Sequence, residues 1–479
     1  MDITLLPAIE QARMIRRGEL TAVELLEAVS ERYQQVNHHV NAVVVTQWEQ
    51  ARRRAEAADR ALRESADIGA LHGVPITVKE SFDWYGTAST FGNVKYADNY
   101  PARNAILVDR LLAAGANLYG KTNVPENLSD SQAFNDIYGT TSNPWDIERV
   151  PGGSSGGSAV AVATGMAAME LGSDVAGSLR NPAHFCGVFA HKPTYGAVPM
   201  QGHAPPGKPA EVDMLVAGPL ARTADDLVAG MSVLTGRDPM REERDLSQFR
   251  VAFMFRSTYA QQDPELVDQL QSAVDDLARR GVHVREAGPD FDADQAYEDS
   301  LLLLRAATSS AMDPEDIASL RPLARRFDEG HRDRQAFLAK GTTLSAAAWR
   351  ELDESRTQNR RRWASFFDDY DVLLCPAANS AAGRHDHSPE RFDARRTDAE
   401  GNPVMREERL YWAMFSGAAY LPSTIVPAGT TGSGMPCGIQ IVAPHDQDHV
   451  SLAFAQHWER EICAYTPPPA LATWSGAPN

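Results

Sequence analysis

The chain has 479 residues, 43% hydrophobic and 23% charged, an ordinary globular composition long enough for several domains or one large α/β domain. Its formal net charge of −18 excludes the basic footprint of a nucleic-acid or anionic-membrane binder, so neither is expected as a partner.

The first stretch, MDITLLPAIEQARMIRRGEL, sets acids and arginines inside its apolar pattern and reads neither as a secretory segment nor as a membrane span. Thr21 and Glu24 form a T-x-x-E capping box before a periodic apolar run, which predicts a helix over about 22–36. NAVVVT (41–46) reads as a short strand and 48–65 as an exposed, charge-laced helix. GVPITVKE (73–80) is strand-like, 105–116 a helix ended by Gly115, and NLYGKTN a strand and turn. SAVAVATGMAAME (158–170) is apolar on nearly every face and predicts a buried helix. Residues 290–368 read as mostly helical, 371–377 and 423–429 as strands, and 383–410 as a polar loop or lid. This alternation argues α/β, and without repeats or a long linker it argues one domain over 1–479. The four scattered cysteines, Cys186, Cys375, Cys437 and Cys463, form no CxxC pair and read as reduced thiols of a cytoplasmic protein.

The stretch RVPGGSSGGSAVAV (149–162) concentrates glycine and serine before the apolar run. Read as a phosphate cradle, it puts Ser158 where a P-loop needs lysine. Read as a G-x-S-x-G elbow, it matches twice, on Ser154 and Ser155, but lacks a buried strand before it. A third reading follows the chain onward. A thirteen-residue helix is about 20 Å long, and the eight residues LGSDVAGS span up to about 26 Å. The chain can therefore return, so that Ser154 and Ser178, 24 positions apart, meet. The flexible backbone before Ser178 can also turn several N–H groups toward one point, as an oxyanion hole requires. For a base, Lys79 ends an apolar segment, where burial would favour its neutral form; the alternative is a surface lysine at a strand end.

The stretch PGGSSGGSAVAVATGMAAMELGSDVAGSLRNPAHFCGVFAHKPTYG (151–196) resembles the signature core of the amidase signature family. LHGVPITVKE, GKTNVPE, GTTSNPWD, AGPLARTADDL, YDVLLCPA and GMPCGIQIVAP follow in that family's order. The resemblance implies a single α/β/α domain, with a central mixed sheet covered by helices on both faces. It also implies a Ser–cis-Ser–Lys triad: Ser178 as nucleophile, Ser154 as proton relay after a cis Gly153–Ser154 bond, and Lys79 as base. Backbone N–H groups of Val175, Ala176, Gly177 and Ser178 would hold the oxyanion. The family usually has two glycines before the nucleophile, and here Ala176 replaces one; Asn181 stands where an apolar residue is usual. Asp174 and Arg180 read as a structural pair.

Gln132, Phe134, Ser155, His184 and His203 are candidates for substrate contact, each against a purely structural role. His385 and His387 lack an evident third ligand, so no metal is expected, and the implied chemistry needs no cofactor. The expected activity is hydrolysis of a small carboxylic amide, with esters or hydrazides as side substrates and a homodimer left open. The alternatives are the amidase subunit of a glutamine-dependent tRNA amidotransferase and a catalytically silent binding protein.

Overall fold

The structure, a computed structural model, describes residues 2–64, 68–237, 242–327, 331–388, 396–397, 403–404 and 407–474. Thr21 caps the helix Ala22–Val40 as its sequence predicts: its hydroxyl accepts from Glu24 N–H, and the Glu24 carboxylate accepts from Thr21 N–H. The helix runs four residues past the expected end because Val36 and Val40 are still buried, and it stops at left-handed Asn41.

Eleven strands form the central sheet. They are β1 (Val43–Thr46), β2 (Pro75–Lys79), β3 (Asn117–Thr122), β4 (Met169–Asp174), β5 (Phe189–Lys192), β6 (Val216–Ala221), β7 (Arg250–Phe253), β8 (His283–Glu286), β9 (Val372–Pro376), β10 (Ser423–Thr430) and β11 (Pro436–Val442). Their spatial order is β1-β3-β2-β4-β6-β5-β10-β11-β9-β7-β8. The sheet is mixed: β2 runs parallel to both β3 and β4, whereas β4 and β6 are antiparallel. Helices cover both faces, so the fold is the expected α/β arrangement.

Side-chain alternation along β2 positions the chemistry. Ile76 and Val78 enter the cluster built with Leu107, Val108 and Leu111 of the helix Ile106–Ala113. Thr77 and Lys79 face the other side. There the helix Gly156–Ala163 packs, with Ala159–Ala163 all buried beside Tyr119 and Leu220.

One expectation needs correction. The apolar stretch 158–170 is not one helix; the helix is Gly156–Ala163, and the chain turns at Gly165 (φ +75°) before entering β4. A continuous apolar run cannot by itself separate a buried helix from a buried strand. The return toward the first serine is thus made by β4.

The region 290–368 contains the helices Ala293–Thr308, Pro314–Ala324, Arg334–Thr342 and Ala346–Asp369. Of the polar stretch 383–410, Arg396–Thr397 and Pro403–Val404 pair antiparallel. Half of it, 389–395, 398–402 and 405–406, lies outside the described residues, and the lid expectation with it. No helix among the described residues is long and apolar enough to cross a membrane.

Candidate active site

Lys79 ends β2 and is fully buried. Its Nζ lies 2.7 Å from Ser154 Oγ and 2.9 Å from Ser173 Oγ, with the Ser173 carbonyl at 3.5 Å. Burial pushes the amine down to about 7, against the opposing pull of Asp174 and Glu170. Glu170 lies on the neighbouring strand, across from Thr77 in the parallel register. Its carboxylate accepts from Thr77 Oγ1, and from Thr122 Oγ1 at 2.7 Å. Burial pushes Glu170 up to about 8. The lysine therefore sits in a polar, fully buried pocket that leaves a large share of the amine uncharged near neutral pH.

Ser154 follows a cis peptide bond with Gly153. The Gly153 backbone runs so close to the chain before it that a Cβ would fall 2.3 Å from the Asp130 carbonyl and 2.4 Å from that of Gln132. Ser155 N–H donates to the Ser178 carbonyl at 3.2 Å, so the two serine loops lie side by side. The Ser178 side chain is partly exposed and makes no hydrogen bond among the described residues.

The turn carrying Ser178 is held from beneath by Asp174. One carboxylate oxygen accepts from Gly177 N–H at 2.8 Å and the other from Leu179 N–H at 3.0 Å. Arg180 forks onto the same carboxylate, Nη2–Oδ1 2.8 Å and Nε–Oδ2 3.0 Å, with neither side chain exposed. Although burial opposes it, the guanidinium and these hydrogen bonds hold Asp174 well below the usual carboxylate range. This arrangement corrects the expected oxyanion set. Gly177 N–H is engaged by Asp174, so Val175, Ala176 and Ser178 retain the backbone N–H groups without a protein acceptor among the described residues. Only Gly177 in this turn has φ above zero (+106°), so the Cβ at Ala176 is carried without strain.

Asn181 joins the two loops. Its Nδ2 donates to the Gly153 carbonyl at 2.7 Å and the Gly177 carbonyl at 2.9 Å, while its Oδ1 accepts from Gly153 N–H at 2.9 Å. Sequence reasoning singled out this position only as a departure, and it missed Ser173 altogether. The signal for Ser173 was its place in the same Gly/Ser-rich return as Ser178.

The other candidates sit as follows. Ser155 is fully buried and its hydroxyl bridges to the Ser173 backbone. His184 is fully buried, with Nδ1 accepting from Gly438 N–H at 2.8 Å and Nε2 at 3.1 Å from the Ser380 carbonyl. His203 lies between Phe82 and Phe91 with Nε2 3.0 Å from Ser81 Oγ, and burial pushes it down to about 3. All three are buried. Gln132 exchanges two hydrogen bonds with the backbone of Asp386, at 2.7 and 3.0 Å, and Phe134 stacks on His387. Both therefore anchor the start of the polar stretch against the first serine loop. His385 Nε2 lies 3.5 Å from Ser142 Oγ, and no group of three metal-ligating side chains occurs among the described residues.

Comparison with known proteins agrees with this architecture. The Amidase family model matches residues 24–452. The indoleacetamide hydrolase of Bradyrhizobium diazoefficiens is 31% identical over 466 residues, covering 93% of this chain and 84% of the relative. A glutamyl-tRNA(Gln) amidotransferase subunit from a Synechococcus species is 30% identical, covering 93% of this chain and 95% of the relative. A solved 6-aminohexanoate cyclic dimer hydrolase, complexed with substrate, superposes with TM-score 0.78 at 26% identity, covering 98% of this chain and 99% of that one. The chain belongs to the amidase signature family and is an amide-hydrolysing enzyme.

Proposed function

We propose that this amidase cleaves a small carboxylic amide through an acyl-enzyme on Ser178, with Lys79 as base and Ser154 as relay. The observation that carries the reading is the buried Lys79 amine 2.7 Å from Ser154 Oγ, on the loop beside Ser178. The neutral amine accepts the Ser154 proton as Ser154 takes the proton of Ser178. Ser178 Oγ then bonds to the amide carbon, and the carbonyl oxygen gains the charge. The N–H groups of Val175, Ala176 and Ser178 are the donors available to that oxygen. The proton returns through Ser154 to the departing amine, and water cleaves the ester to release the acid.

The test is covalent. A fluorophosphonate should add once per chain, and peptide mass spectrometry should place the adduct on Ser178. Ser178→Ala should remove both the adduct and amide hydrolysis. An adduct elsewhere, or retained hydrolysis, would overturn the assignment.

A second reading, the glutamine-dependent amidase subunit of a tRNA amidotransferase, draws on the Synechococcus relative. It requires ammonia release from glutamine only when other subunits co-purify.

A further inference from the structure

One carboxyl group in the site is buried without a cation in contact. Glu170 is 1% exposed, and no lysine, arginine or histidine forms an ion pair with it among the described residues. Hydroxyl groups meet it instead. Thr77 Oγ1 donates to one oxygen and Thr122 Oγ1, at 2.7 Å, to the other, while Ser158 Oγ lies 3.0 Å from Thr122 Oγ1. A carboxylate buried in this way is costly, and taking up a proton relieves the cost.

Strand register places this carboxyl beside the base. Thr77 of β2 lies across from Glu170 of β4, and Lys79 lies across from Thr122 of β3. Thr77 and Lys79 share one face of β2. Ser158 belongs to the helix Gly156–Ala163, which begins two residues after the relay Ser154. Lys79 and Glu170 are thus members of one buried polar cluster, and each favours the charged form of the other.

The other titratable groups that act on the pair keep one charge state between about pH 5 and 9. Asp174 is held ionised by Arg180. His203 stays neutral, pushed down to about 3 by burial and by Lys79. Burial, with the Glu170 charge, keeps the Tyr119 phenol protonated, and it donates to the Met166 carbonyl at 2.6 Å. Glu170 and Lys79 change charge within that range, at about 8 and about 7.

We infer that Glu170 is a positioning residue that shares a proton with Lys79 and so decides when the amine is free to act as base. With the proton on the carboxyl, both groups are neutral and the Lys79 lone pair is available to Ser154. With the proton on the amine, both groups are charged and the base is blocked. The two titrate as a coupled pair, and removing the carboxylate releases the amine at lower pH. The inference rests on the assignment of Lys79 as base.

The test follows fluorophosphonate addition to Ser178 from pH 5 to 9. Glu170→Gln keeps the shape of the side chain but cannot ionise, so the rise in rate should move down by about one pH unit. At pH 5.5 its rate, relative to its own plateau, should then exceed that of wild type by about tenfold. Glu170→Asp, which restores a carboxylate, should bring the midpoint back toward the wild-type value. Thr122→Val removes one hydroxyl that steadies the charged carboxyl, and should move the midpoint the same way as Glu170→Gln but less far. A purely structural Glu170 would cost rate or stability and leave the midpoint in place; an unmoved midpoint in Glu170→Gln and Thr122→Val overturns the inference.

Infrared spectroscopy supplies a readout free of turnover. Wild type should lose a protonated-carboxyl band between pH 6 and 9 that Glu170→Gln lacks; no such difference between the two proteins overturns the inference. Failure of the parent assignment is seen separately, as a wild-type labelling rate that is flat with pH or equal in Lys79→Ala.

Discussion

Asn181 offers a sharp test of how the two serine loops are coupled. Its amide makes three hydrogen bonds, two to Gly153 and one to Gly177. At about 0.5–1.5 kcal/mol net for each, removing them with Asn181→Leu should destabilise the protein by roughly 2–4 kcal/mol. Asn181→Asp is more informative. It keeps the acceptor for Gly153 N–H but sets a carboxylate oxygen against two carbonyls that now receive N–H groups at 2.7 and 2.9 Å. The Gly153–Ser154 backbone should shift away from the nucleophile turn. A displacement near 1 Å at a reacting group lowers rate by about 100-fold. Fluorophosphonate labelling of Ser178, timed at pH 8, should therefore slow by about 10- to 100-fold in Asn181→Asp. Urea unfolding supplies the stability arm. Wild-type labelling rate and wild-type midpoint in Asn181→Asp would refute this role.

Breaking the buried pair with Arg180→Met should lower stability by about 3–5 kcal/mol, because it strands Asp174 in the interior; a loss under 1 kcal/mol in urea unfolding would contradict it. Asp174 is held below its unfolded value, so its contribution is fully present above about pH 4 and fades as pH falls through its folded value. An acid-unfolding midpoint identical in wild type and Arg180→Met would count against that linkage. Gly177→Ala meets both a positive φ of +106° and the Ala413 methyl at 2.9 Å, and it should lower kcat at least tenfold; steady-state kinetics on any cleaved amide decide. Gln132→Ala should release the backbone at Asp386, and limited proteolysis should then cut near 382–388 faster than in wild type.

Much of the site was legible because its parts are local. A lysine ending an apolar strand, and two glycine–serine loops flanking an apolar run, can be read without coordinates. The helix boundary was not legible, since Val160 and Met169 are equally apolar yet belong to a helix and to a strand. Ser173 and Glu170 escaped because they reach the Lys79 region through the parallel pairing of β2 with β4, residues more than ninety positions apart. The burial of His184 and His203, both candidates for substrate contact, was not legible, because sequence records residue type and not burial. The partners of Gln132 and Phe134, singled out as candidates for substrate contact, were not legible because they lie about 250 positions away.

The central claim is that an uncharged Lys79 draws the proton from Ser178 through Ser154. Protonated Lys79 has no lone pair to accept with, so the rate must fall as pH drops below its value near 7. The direct measurement is the second-order rate of fluorophosphonate addition to Ser178 between pH 5 and 9, in wild type and in Lys79→Ala. The account predicts a single ionisation near pH 7 in wild type and a far slower reaction without that step in the variant. A wild-type rate flat across the range, or an equal profile in Lys79→Ala, would contradict it.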